Sequence, residues 1–156
     1  DGDGTDSVAV RRGVVIYHKD ALASGHADSY FSFGRIGDVP LAGDWDGDGK
    51  DSVAVRRDTT YFITNALAGG QVRGFEYGDL QHVAMVGDWD GDSTDTISLI
   101  NEQGGSIFLN NEVNPSELGN ARDLAESVHG VDAFFAGDWD GDGADTLGFV
   151  SYGTEH

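Results

Sequence analysis

Gly43-Asp44-Trp45-Asp46-Gly47-Asp48-Gly49-Lys50-Asp51-Ser52-Val53-Ala54-Val55 decides how this 156-residue chain is read. Counting from Asp44, carboxylates stand at positions 1, 3, 5 and 8, with glycines at 4 and 6. Alternate residues of a tight loop can turn their side chains to one point. Glycine permits the sharp bend, and hard carboxylate oxygens suit Ca²⁺, which takes about 6–8 of them. An EF-hand would need a bidentate Glu at position 12, but that residue is Val55. The loop is therefore read as a calcium loop between strands.

The same pattern recurs along the chain. Asp1-Gly2-Asp3-Gly4-Thr5-Asp6 lacks its position 1, whereas Asp88-Trp89-Asp90-Gly91-Asp92-Ser93-Thr94-Asp95 and Asp138-Trp139-Asp140-Gly141-Asp142-Gly143-Ala144-Asp145 are full copies. The leading Asp recurs after 44 and then 50 residues, and a period in the range of about 20–50 signals a solenoid or propeller. Aspartate favours turns on its own account, so one such loop would say little; four at one spacing point to metal. Ser93 replaces glycine in the third loop, marking it as the weakest site.

Between the loops the period is 2, as in half-buried strands. Ser52-Val53-Ala54-Val55-Arg56, Tyr61-Phe62-Ile63-Thr64, Gly74-Phe75-Glu76-Tyr77-Gly78 and His82-Val83-Ala84-Met85-Val86 read as four short strands per repeat. That is the content of a propeller blade. The fold expected is all-β, with blades of four antiparallel strands joined by Asp-rich loops. One repeat domain spans 1–156, with blades at 1–37 (partial), 38–81, 82–131 and 132–156 (partial). Helical turns are expected over residues 20–25 and 65–70, and a short helix beginning at Asn114-Pro115.

Charge bounds the partners. Twenty-eight acidic residues against nine basic ones give −19, and 15 of the 22 Asp lie in the four loops. Four divalent ions would bring −19 to about −11. Nucleic acid and anionic membranes are disfavoured partners, because both are held mainly through Lys and Arg. No apolar stretch nears the ~20 residues of a membrane span, so no insertion is expected. There is no cysteine, hence no disulfide framework and no thiolate metal site.

The residues 43–55 quoted above resemble the FG-GAP/VCBS repeat of integrin α-subunit propellers and of many bacterial surface and secreted proteins. The resemblance covers nearly the whole chain. It implies Ca²⁺ at the matching acids: Asp44, Asp46, Asp48 and Asp51; Asp88, Asp90, Asp92 and Asp95; Asp138, Asp140, Asp142 and Asp145; and Asp1, Asp3 and Asp6. One departure stands out. The family's last acid sits at position 9, where this chain has Ser7, Ser52, Thr96 and Thr146, with the acid one place earlier. Either that acid reaches the ion from a shifted backbone, or a carbonyl or water fills the corner.

The resemblance further implies a non-enzymatic, extracellular recognition or adhesion module of a bacterial surface or secreted protein, with a glycan as first ligand class and a protein as second. The alternative is a passive accessory domain of a larger secreted enzyme or surface protein. A polysaccharide-active enzyme is a third class, but the sequence holds no nucleophile elbow, phosphate loop or zinc-binding His pair. Carboxylate pairs suited to glycosidase chemistry fall within the calcium loops. The three tryptophans at position 2 are read as wedges against the neighbouring blade rather than as sugar platforms. Arg11-Arg12 and Arg56-Arg57 can pair with Asp of adjacent blades or hold an anionic ligand. Propellers close with about 4–8 blades, which leaves three routes open: a fragment of a longer protein, several chains sharing one ring, or an unusually small ring. The opening on Asp1 partway through a repeat fits a processed or excised piece, and sticky blade edges favour the first two routes.

Overall fold

Alternating residues with small or β-branched side chains build a chain made of strands. The computed structural model describes residues 7–67, 70–101, 105–118, 120–123 and 133–150. Within them lie β1 (Val8–Arg12), β2 (Val15–Lys19), β3 (Ser29–Ser32), β4 (Val39–Gly43), β5 (Ser52–Arg57), β6 (Thr60–Thr64), β7 (Val72–Glu76), β8 (His82–Gly87), β9 (Thr96–Asn101), β10 (Ser106–Leu109), β11 (Asn120–Asp123), β12 (Ala133–Gly137) and β13 (Thr146–Val150). They form four separate sheets in the orders β1-β2-β3, β4-β5-β6-β7, β8-β9-β10-β11 and β12-β13. Every neighbouring pair is antiparallel. The protein is all-β, and none of its sheets closes on itself.

The sheets repeat one register. Gly43 faces Ser52, Gly87 faces Thr96 and Gly137 faces Thr146, so each acidic loop joins the first two strands of its sheet at the same place. First strands lie side by side, β4 next to β8 and β8 next to β12. The core fills the spaces between sheets. Trp45, Ala54, Tyr61, Ile63 and Tyr77 of the second sheet cluster with Ile97 and Leu99 of the third. Met85, Ile100 and Ile107 of the third gather Phe134, Ala136 and Leu147 of the fourth, together with Trp89.

Arginines tie successive sheets together as well. Arg11 at the end of β1 donates to the carbonyls of Asp38 and Arg35 (2.7 Å for Arg35), and Arg56 at the end of β5 donates to those of His82 and Asp79 (2.7 Å for Asp79). The first arginine of each pair thus reaches an adjacent sheet, through backbone carbonyls rather than Asp side chains. Arg57 instead grips Asp38 of its own sheet in a two-point pair at 2.9 and 2.8 Å. Asp38 is 6% exposed and also accepts the Arg35 amide at 2.7 Å. The guanidinium of Arg57 holds its carboxyl below the usual aspartate value. In the next repeat His82 takes the place of Asp38, with Nδ1 at 3.2 Å from the Asp79 amide and its ring edge-on to Phe108.

The expected helical segments are corrected by the structure: among the described residues there is no helix. Residues 20–25 and 65–67 are bends, and residues 113–117 form bends around a buried Pro115. A first helical turn fixes several residues for a single hydrogen bond, and segments this short, tethered at both ends to strands, have no apolar face to repay it. The fourth strand of the second sheet, β7, lies two residues earlier than its sequence suggests, because Gly78 turns the chain with φ 70°. No helix among the described residues is long and apolar enough to cross a membrane.

Candidate metal centres

Each full loop is wound around the carboxylate at its position 1. Asp44 accepts the amides of Asp48 (3.1 Å) and Gly49 (2.7 Å). Asp88 accepts those of Gly91, Asp92 and Ser93, at 2.8–3.1 Å. Asp138 accepts those of Gly141, Asp142 and Gly143, at 2.7–3.1 Å. The position-5 acids Asp48, Asp92 and Asp142 each accept the amide two residues on. Such amide donation favours the charged carboxylate. The Gly143 amide, with those of Gly141 and Asp142, holds the Asp138 carboxyl below its ordinary value.

Left-handed residues make the wrap possible. Gly47 and Gly49 have φ of 70° and 81°, Gly91 has 76°, and Gly141 and Gly143 have 77° and 92°. Ser93 is forced into the same region, at φ 69°. A side chain there costs about 1 kcal/mol, a cost glycine escapes. Ser93→Gly should therefore raise the melting temperature by about 2–4 °C, read by calorimetry.

These windings bring together the acids at positions 1, 3 and 5. In Asp44/Asp46/Asp48, Asp88/Asp90/Asp92 and Asp138/Asp140/Asp142, one oxygen from each residue lies within 4.8 Å of the others. Two oxygens on one Ca²⁺, each about 2.3–2.6 Å from it, can be no more than about 5 Å apart. The donor set is all hard oxygen, so it fits a cation of this kind. Successive loops also touch: a Cβ on Gly47 would lie 3.1 Å from Thr94 Oγ1. The charges of Asp51, Asp145 and Asp44 each oppose ionisation of Asp95, so like charges are crowded from loop to loop. Asp1, Asp3 and Asp6 lie outside the described residues.

The position-8 acids Asp95 and Asp145 occupy another place. The Asp95 amide donates to the Asp44 carbonyl at 2.7 Å, while Asp95 Oδ2 accepts the Asp44 amide at 2.8 Å. Asp145 repeats this on Asp88, at 2.5 and 3.0 Å. The acid of one loop thus clasps the backbone of the loop before it. Burial pushes the Asp95 carboxyl up to about 6. The clasp bears on the glycines preceding the first two full loops, since a Cβ on Gly43 would lie 2.8 Å from Val86 and 3.0 Å from Asp95 and one on Gly87 2.7 Å from Asp145; a Cβ on Gly137 would instead meet Trp139 at 2.9 Å. Asp51, Asp95 and Asp145 are not members of the three triads.

Two residues not singled out from sequence also reach the loops. Asn65 Nδ2 donates to Asp46 at 2.6 Å, and Asn111 Nδ2 donates to Asp90 at 2.7 Å. Both follow the third strand of their sheet closely, and that equivalence was the available signal.

Trp45 is 2% exposed and wedged between sheets, Trp89 is partly buried, and Trp139 is 63% exposed. Comparison with known proteins gives no match to a family model, a curated protein or a solved structure.

Proposed function

We propose that this chain is a calcium-stabilised, non-enzymatic recognition or adhesion module of the secreted or cell-surface kind, assembled from propeller blades of FG-GAP/VCBS type. The observation that carries the reading is the threefold recurrence of an Asp triad whose oxygens lie within 4.8 Å of one another. Separate sheets with their first strands side by side support the blade reading. The residues that would hold the ion are the acids at positions 1, 3 and 5, with backbone carbonyls or water completing the shell. The ion would neutralise the crowded carboxylates and lock the turn between the first two strands.

Extracellular placement is part of the same proposal: millimolar extracellular calcium would fill even sites of the weak class, with dissociation constants of about 10⁻⁴–10⁻³ M. The ligand class proposed is a glycan, with a surface protein second. The reading is tested on a glycan array with the chain in millimolar calcium and again in EDTA. Retention of a defined set of glycans in calcium, lost in EDTA, is the expected result. No retained glycan in either condition would overturn glycan recognition and leave a scaffold role.

A further inference from the structure

Seven Asp-Gly pairs stand in the sequence, all of them in the acidic loops. Asp1-Gly2 and Asp3-Gly4 lie outside the described residues, which leaves Asp46-Gly47, Asp48-Gly49, Asp90-Gly91, Asp140-Gly141 and Asp142-Gly143. Such a pair carries a reaction of its own. The glycine nitrogen can close on the side-chain carbon of the aspartate before it, because glycine has no Cβ to obstruct the approach. In a folded chain the reaction depends on whether that nitrogen is free to turn. In four of the five pairs it is not: the Gly49 amide donates to Asp44 at 2.7 Å, that of Gly91 to Asp88 at 2.8 Å, and those of Gly141 and Gly143 to Asp138 at 2.7 and 3.0 Å.

Gly47 is the exception. Asp44 turns its two oxygens to the amides of Asp48 and Gly49, and the Gly47 amide has no hydrogen-bond acceptor among the described residues. In the third and fourth loops the carboxylate at position 1 takes a further amide, that of Gly91 or Gly141. An amide proton aimed at a neighbouring carboxylate must break a charge-assisted bond before its nitrogen can react, and the negative charge opposes loss of that proton. The tether on the aspartate side chain does not distinguish the loops, since Asn65 holds Asp46 as Asn111 holds Asp90, at 2.6 and 2.7 Å. Asp46 and Gly47 are both exposed, so water reaches the pair.

We propose that Asp46-Gly47 is a site of spontaneous succinimide and isoaspartate formation in the folded protein, and that the acid at position 1 protects the other four pairs. The Gly47 nitrogen attacks Asp46 Cγ. A bond forms between them, the C–OH bond of the protonated carboxyl breaks, and the hydroxyl leaves with the amide proton as one water. The product is a five-membered succinimide, and water then opens it at one of its two carbonyls. Addition at Cγ restores aspartate. Addition at the backbone carbon leaves an isoaspartyl link, in which the main chain runs through Cβ and Cγ and gains one methylene. The free carboxylate then sits on Cα, so Asp46 drops out of the second triad while the third and fourth triads last. The modification does not rest on calcium being bound.

The test is peptide mapping by mass spectrometry with electron-transfer fragmentation, which tells isoaspartate from aspartate at each position. Wild type is incubated well below its melting temperature, and a second sample of the same age is kept unfolded in guanidinium chloride. In the folded sample isoaspartate should accumulate at Asp46 several-fold faster than at Asp48, Asp90, Asp140 or Asp142. In the unfolded sample the five pairs should age at similar rates, because the protecting amide bonds are gone. Asp88→Ala, shown by its melt to be folded, should bring Asp90 up to the rate of Asp46, since the Gly91 amide loses its acceptor. Folded protein in which Asp46 ages no faster than the other four would overturn the proposal, as would a folded Asp88→Ala variant whose Asp90 stays protected. The same preference for Asp46 in guanidinium chloride would also overturn it, by tracing the reaction to local sequence and not to the fold.

Discussion

Trp45→Ala should destabilise the chain by about 3–5 kcal/mol, lowering the melting temperature on the order of 10 °C. Trp139→Ala, measured on dilute protein, should lower it by no more than a degree or two. Both residues stand at position 2 of nearly identical loops, so nothing local distinguishes them. The difference lies in what covers them. Trp45 is 2% exposed and belongs to the cluster formed with Tyr61, Ile63, Ile97 and Leu99. Its removal empties a space walled by two sheets, which have little freedom to close on it because Arg56 and the Asp95 clasp also pin them together. Trp139 is 63% exposed and leaves no such void. Thermal melts of the two variants decide the matter. Equal losses would contradict the assignment of Trp45 to the joint between the second and third sheets.

The second large effect belongs to Asp95. Its carboxylate accepts the amide of Asp44, a residue 8% exposed, across 51 positions of chain. Asp95→Ala leaves that buried amide without its acceptor, a loss of about 1–3 kcal/mol. Asp95→Asn keeps a side-chain oxygen able to accept the same bond and should cost much less. Both effects should appear in EDTA as well as in calcium, because the clasp is made between protein groups. If Asp95 instead served its own loop as a ligand, Asn would weaken calcium binding while leaving the EDTA melt untouched. Melts of the two variants in both buffers separate these roles.

Much of the architecture is legible along the chain. Period-2 alternation over residues 52–56, 61–64 and 82–86 places β5, β6 and β8. The recurrence of Asp-x-Asp-x-Asp marks the loops whose acids the structure gathers into triads. What a linear reading misses are relations between repeats. The position-8 acid lies close in sequence to its own triad, yet its hydrogen-bond partner belongs to the preceding loop. Asn65 reaches Asp46 from 19 residues away, and only the sheet register makes the two neighbours. The helical turns expected over residues 20–25 and at Asn114 failed for a related reason. Local caps and glycines favoured them, while the strands on either side fixed the ends of segments too short to nucleate a helix.

The central claim is that three triads each hold one calcium ion, and counting bound calcium tests it most directly. The chain and three double variants, Asp46→Asn with Asp48→Asn, Asp90→Asn with Asp92→Asn, and Asp140→Asn with Asp142→Asn, are each equilibrated in millimolar calcium, and bound metal is measured against protein. Each variant should hold one ion fewer than wild type, which itself holds at least three. A wild type that binds none, or variants that bind as many ions as it does, would contradict the claim and leave the Asp-Gly loops as turns closed by their own amides.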